Sequence, residues 1–190
     1  MNRTLAALMM TAAALTATPT LAQTAKGPTA VVSPQPLPID DSRPRVFLGG
    51  SIDMGGAPDW QAAMTAALAD MDVVILNPRR PDWNPNWRPE SDEPEFRRQV
   101  EWELAALESA DVIVMYFAPG TQSPISLLEM GLHARGGKLI VLAPEGFWRK
   151  GNVDITAQAY GVKQVRSLPE LTAAVREALS NAAARGRFAR

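Results

Sequence analysis

The chain has 190 residues, enough for one domain with a real core, and carries a formal net charge of -1 with 21% charged residues. A chain so balanced has no basic field to hold a nucleic-acid polymer. It has no cysteine and one histidine. That excludes disulfides, thiolate metal sites and a cysteine nucleophile, and argues against a histidine metal cluster or a Ser-His-Asp triad. No metal and no cofactor is expected.

Residues 1–22 read as a signal peptide. Arg3 supplies the positive start, Leu5–Leu15 is an apolar segment too short to span a bilayer, and Thr20-Leu21-Ala22 places small residues at -3 and -1. The expectation is cleavage near Ala22, export to the periplasm and no stable membrane insertion. Residues 23–44 carry prolines at 28, 34, 36, 38 and 44 and read as an extended linker without chemistry.

The folded domain is expected over 45–181, ahead of a basic tail, 182–190, that frays. Arg45–Leu48 is the first strand, and Gly49-Gly50-Ser51 ends it where the backbone can approach a ligand or the next helix closely. Trp60–Met71 is a helix with Asp59 as N-cap. Val73–Leu76 is the second strand, followed by Asn77-Pro78-Arg79-Arg80 and a long proline-rich loop. Trp83 and Trp87 in that loop either stack on a flat ligand or pin the loop itself.

The next helix runs from Glu95 to Ala110, with Phe96, Val100, Leu104 and Leu107 as its inward stripe. Glu103 points into the middle of that stripe. A carboxylate there must be paired, with Arg79 or Arg45 as the available cations, or protonated, or used. Asp111–Phe117 is a third strand, buried on both faces. Ser123-Pro124 opens a helix with a hydroxyl N-cap and proline at the first helical position. Ile125, Leu128 and Leu132 are expected to face the sheet, with Glu129 at the border of their stripe, and His133 reads as an ordinary helix-surface residue. Leu139–Ala143 is the fourth strand, PEGFWRKGNVD a second irregular loop, and Val162–Val165 a fifth strand. A capping box at Ser167–Glu170 opens the last helix, which buries Leu171, Val175 and Leu179.

Strands alternating with helices predict an α/β domain, a doubly wound five-stranded parallel sheet in the order 2-1-3-4-5. Its ligand crevice lies between strands 1 and 3. The loops Gly49–Asp53 and Ala118–Ser123 then face each other, with Glu129 beside them. Two carboxylates on helices flanking one strand are the raw material of glycosyl transfer. The candidate ligand contacts are Gly49, Gly50, Ser51 and Asp53 after the first strand, Asn77 and Arg79 after the second, and Ser123 after the third.

The segments VFLGGSIDMG, ILNPRRPDW, FRRQVEWELAALESADVIVMYF, SPISLLEMG and PEGFWRKGNVDI together resemble the nucleoside 2-deoxyribosyltransferase superfamily, and especially its 2-deoxyribosyltransferase-like branch. The resemblance spans Arg45 to Val165. It implies a flavodoxin-like fold, cleavage of an N-glycosidic bond, a nucleoside or nucleotide as the small-molecule ligand, and a homo-oligomer whose subunits complete each other's sites. Glu129-Met130-Gly131 matches the segment that carries the nucleophile. Glu103, eight residues before Asp111, matches the acidic residue that supports the nucleophile or handles the proton, where relatives have aspartate. Asn152 matches a residue that reaches the sugar. Ser123 stands six residues before Glu129. There, nucleoside-specific members place an aspartate on the 5′-hydroxyl, and the branch that hydrolyses deoxynucleoside 5′-monophosphates places a serine. Monophosphates are therefore the expected better ligands. The alternative is a catalytically silent protein that binds a nucleotide-like ligand in the same fold. A flavin or dinucleotide domain is disfavoured, because no phosphate fingerprint follows the first strand.

Overall fold

The computed structural model describes residues 27–53 and 56–188. The expected signal peptide lies outside the described residues. One sheet holds six parallel strands: β1 Thr29–Val32, β2 Arg45–Gly50, β3 Val74–Asn77, β4 Val112–Tyr116, β5 Leu139–Leu142 and β6 Lys163–Val165. Their order is β1-β3-β2-β4-β5-β6. This replaces the expected five-stranded sheet in the order 2-1-3-4-5.

The additional strand lies in the segment read as a linker. Pro28 and Pro34 flank Thr29–Val32 rather than interrupt it, and an edge strand accepts proline at its ends. Thr29 to Val32 pair in register with Val74 to Asn77, and Val31 is buried. Arg43 ties the segment down. Its guanidinium reaches Thr29 Oγ1 at 2.8 Å, Asp41 at 2.6 Å and Asp72 at 3.1 Å.

Five helices cover the sheet: α1 Trp60–Ala67, α2 Pro94–Ser109, α3 Pro124–His133, α4 Lys150–Tyr160 and α5 Leu168–Phe188. Successive β2 residues point to opposite faces. Val46 and Leu48 pack with Trp60, Met64 and Leu68 of α1 and with Leu171, Val175 and Leu179 of α5. Phe47 packs in the core formed with Trp102 and Leu107 of α2, Met130 of α3 and Val153 of α4. Asp59 caps α1 by accepting from Ala62 N at 3.0 Å. Ser167 Oγ accepts from Glu170 N at 3.3 Å, and the Glu170 carboxylate accepts from Arg166 N at 2.9 Å. The second irregular loop is shorter than expected, since α4 begins inside it, and α5 continues as helix to Phe188 through most of the expected tail.

Two helices sit rotated from their expected faces. The buried residues of α2 are Gln99, Trp102, Ala106 and Leu107, whereas Leu104 of the expected stripe is 45% exposed. On α3 the buried residues are Ser126, Glu129 and Met130. Ile125, Leu128 and Leu132 point outward, at 58%, 61% and 61% exposure. The cause is local: Ser126 Oγ donates to the Gly50 carbonyl at 2.9 Å, which turns the small polar side of α3 onto the end of β2. Glu129, one turn on, goes down with it.

Candidate active site

β2 pairs with β3 on one side and β4 on the other, so the chain reverses direction across the sheet at the β2–β4 junction. In open α/β sheets the crevice at such a point is where ligands bind. Gly50 makes the junction possible. Its φ is +127°, and a Cβ there would lie 2.2 Å from the Tyr116 carbonyl oxygen. That close approach is to the neighbouring strand β4. Gly49 is closed in by its own neighbour, since a Cβ would meet the Phe47 ring at 2.9 Å.

Ser51 then links the two loops. Its N–H donates to the Tyr116 carbonyl at 2.8 Å, and its Oγ accepts from Ala118 N at 2.8 Å. The same hydroxyl bonds Thr121 Oγ1 and Ser123 Oγ, each at 2.7 Å, and Trp60 Nε1 donates to the Ser51 carbonyl at 3.1 Å. Ser123 does not cap α3 through its side chain, contrary to the sequence expectation. It adopts a left-handed conformation, φ 47° and ψ 49°, and its hydroxyl joins Ser51 and Thr121 instead. A non-glycine residue held in that region is uncommon and is found where the surroundings enforce it. Thr121 was not singled out from sequence; its Oγ1 donates to the Ala118 carbonyl at 2.8 Å.

The two glutamates stand on the neighbouring helices α2 and α3. Glu129 is 7% exposed, and among the described residues no hydrogen bond or ion pair reaches its carboxylate. Burial, with the charge of Glu103 nearby, pushes it up to about 8. Glu103 is half-buried and pairs with neither Arg79 nor Arg45. Burial raises it to about 7, against the opposing effect of Gln99, whose Nε2 donates to Glu103 Oε1 at 2.8 Å. The two carboxyls form a coupled pair without a counter-cation, and near neutral pH such a pair retains a proton.

The other candidates divide. Asn77 Oδ1 accepts from Arg79 N at 3.0 Å and shapes the turn after β3. Arg79 braces the loop after β2, donating to the carbonyls of Ala57 at 3.2 Å and Pro58 at 3.4 Å and lying 3.8 Å from Asp59. Asp53 is exposed, with φ 50°, and its carbonyl accepts from Gly56 N at 2.7 Å. Asn152 lies on α4 in a groove of about 310 Å³ with Leu127, Gly131, Trp148 and Arg149, and neither glutamate lines that groove. The two carboxyls of raised pKa stand outside that groove, on α2 and α3. Trp83 and Trp87 pack edge-to-face at 5.2 Å, with the Arg80 guanidinium 4.9 Å over Trp87, so they pin their own loop. Sequence reasoning passed over Gln99, Thr121 and Ser126. Gln99, a polar residue at i-4 from Glu103, was the one that a pairing search along α2 would have found.

The fold is thus a doubly wound parallel α/β sheet with two carboxyls of raised pKa on the helices α2 and α3. The chain belongs to the family described as nucleoside 2-deoxyribosyltransferase like, whose profile matches residues 43–147. Among solved structures it is similar to a conserved protein from Enterococcus faecalis V583, at 10% identity and a TM-score of 0.51 over 71% of this chain and 98% of that one. That likeness is one of fold. No curated protein matches the chain.

Proposed function

We propose that the protein cleaves or transfers the N-glycosidic bond of deoxynucleosides or their 5′-monophosphates, with Glu129 as nucleophile and Glu103 as the proton-handling carboxyl. The observation that carries this reading is the pair of carboxyls, Glu129 buried and Glu103 half-buried, both raised well above the ordinary range on the adjoining helices α2 and α3, in a chain of this family. Burial makes Glu129 the stronger proton holder of the pair, at about 8 against about 7, so the reactive form is the minority one in which the shared proton sits on Glu103. In that form's first half-reaction, ionised Glu129 bonds C1′ as the C1′–N bond breaks and its electron pair passes to the base nitrogen. Protonated Glu103 gives that nitrogen, or another on the same base, its proton. In the second, water or an acceptor base bonds C1′, loses its proton to Glu103, and releases Glu129. The acid-and-base requirement gives base release a bell-shaped pH profile whose limbs lie near the two values of about 7 and about 8.

We also propose that 5′-monophosphates bind better than free nucleosides. The hydroxyl of Ser123, held by Ser51 and Thr121 rather than in a cap, sits at the start of α3, where free backbone N–H groups favour an anion. Incubation with matched deoxynucleosides and monophosphates, followed by chromatography of free base, tests both statements. Base release from monophosphates in preference to nucleosides, reversed by Ser123→Asp, is the expected result. Ligand-dependent thermal stabilisation without release would make the protein a binding module instead.

A second copy is proposed to cover the outward face of α3. Ile125, Leu128 and Leu132, with Leu104 of α2 exposed on the same side of the sheet, leave a run of large apolar residues next to the glutamates.

A further inference from the structure

This inference rests on the N-glycosidase reading and extends its site into the part of the chain that precedes the family match. Gln99 is 5% exposed and Ser33 3%. The Gln99 side chain has three partners. Its Oε1 accepts the Ser33 hydroxyl, and its Nε2 donates to the Pro78 carbonyl at 3.1 Å and to Glu103 Oε1 at 2.8 Å. Only one orientation of the amide satisfies all of them. A carbonyl can only accept, so the amide nitrogen must face Pro78, and the amide oxygen then faces Ser33, whose hydroxyl supplies the proton. The opposite orientation would set the amide oxygen against the Pro78 carbonyl, which has no proton to give.

Ser33 and Pro78 therefore aim a donor at one named oxygen of Glu103. That oxygen, Oε1, is held as an acceptor, and a proton carried by Glu103 resides on Oε2. Ser33 is itself held in place. Its N–H donates to the Asn77 carbonyl at 3.0 Å, and two residues on, the Gln35 carbonyl accepts from Trp102 Nε1 at 2.7 Å. The segment from β1 to Gln35 is thus hydrogen-bonded both to β3 and to the helix that carries Glu103.

We propose that Ser33 and Gln99 are positioning residues for Glu103, reserving Oε2 as the oxygen that passes the proton to and from the base, so that the strand ahead of the family match is part of the working site. Glu103 and Glu129 are the titratable groups of the pair, with the charge of Glu103 helping to raise Glu129; Gln99 and Pro78 are uncharged.

The test uses the full chain with Gln99→Met, Ser33→Ala and Ser33→Thr, the last of which keeps the hydroxyl. Two readouts are taken: kcat and KM for base release, and the titration of the Glu103 side-chain carboxyl followed by carbon NMR. With the donor gone, Gln99→Met should lower kcat by roughly ten- to a hundredfold while leaving KM near wild type. It should also raise the pH at which Glu103 titrates, because the lost hydrogen bond had lowered it. Ser33→Ala should move both readouts the same way by less, and Ser33→Thr should restore them. Should Gln99→Met fail to fold, the Ser33 pair carries the test alone. Folded variants with wild-type kcat and an unmoved Glu103 titration overturn the proposal. A wild-type protein that releases no base overturns the enzymatic reading instead, and the titration still decides whether the relay orients Glu103.

Discussion

Glu129 and Glu103 set the terms at the residue scale. A carboxyl whose folded value is raised binds a proton that the unfolded chain has already released. Its contribution to stability is fully present below the ordinary value of 4.5 and is lost as pH rises through about 7 and about 8. Glutamine has nearly the same shape and no charge to desolvate. Glu129→Gln should therefore melt close to wild type near pH 5 and several degrees higher near pH 9. The same variant should lose base release by orders of magnitude, because it removes the proposed nucleophile. Melting curves at the two pH values and a base-release assay check both halves. Equal melting temperatures at high pH would mean that Glu129 ionises without penalty in the folded chain, and wild-type turnover would send the search to another nucleophile. Such a paired result, stability gained and activity lost, is what a destabilised working site produces.

At the scale of the element, α3 decides the character of the site. Its apolar residues at i, i+3 and i+7 form the stripe that ordinarily faces a core. The Ser126–Gly50 hydrogen bond and the packing of Met130 turn that stripe to the outside and press Glu129 inward. If a second copy covers the outward face, introducing charge there should separate the copies without touching the sheet. Leu128→Asp combined with Leu132→Asp should shift the molar mass measured by light scattering from oligomer to monomer, with circular dichroism unchanged. A wild-type protein that is already monomeric at micromolar concentration would remove the basis for that interface.

At the scale of the whole molecule, the segment 27–44 is built into the domain rather than hung from it. It contributes β1, the Arg43 ion pairs with Asp41 and Asp72, and Ser33 beneath Glu103's neighbour Gln99. Among the described residues no helix is long and apolar enough to cross a membrane. We propose that the chain is exported and cut near Ala22, which would leave a mature start close to Gln23 and retain β1 and Ser33 intact. Intact-mass measurement of the protein from the native envelope fraction should give a chain beginning near Gln23. An unprocessed chain recovered from the cytoplasm would end the periplasmic assignment.

Periodicity and composition were enough to establish the strands from β2 to β6, the helix caps at Asp59 and Ser167, the reversal of strand order between β2 and β4, and the two glutamates on α2 and α3. These are written in local pattern: apolar runs bounded by glycine and proline, and hydroxyl or carboxylate residues where a helix must begin. The tertiary structure decided the rest. Four residues between prolines gain strand character only because the edge of β3 is there to pair with them, and no window of sequence contains that edge. The rotations of α2 and α3 depend on single hydrogen bonds and close contacts with the sheet, which outweigh a stripe of leucines that solvent or another subunit can accept equally well. Ser123 looks like a cap in sequence because serine before proline usually is one, yet a partner 72 residues away claims its hydroxyl. Gln99 shows in sequence only as a polar residue one turn before Glu103. Its role comes from a serine, a carbonyl and a carboxyl that meet it from three separate stretches of chain, an arrangement that exists only once the sheet has closed around them.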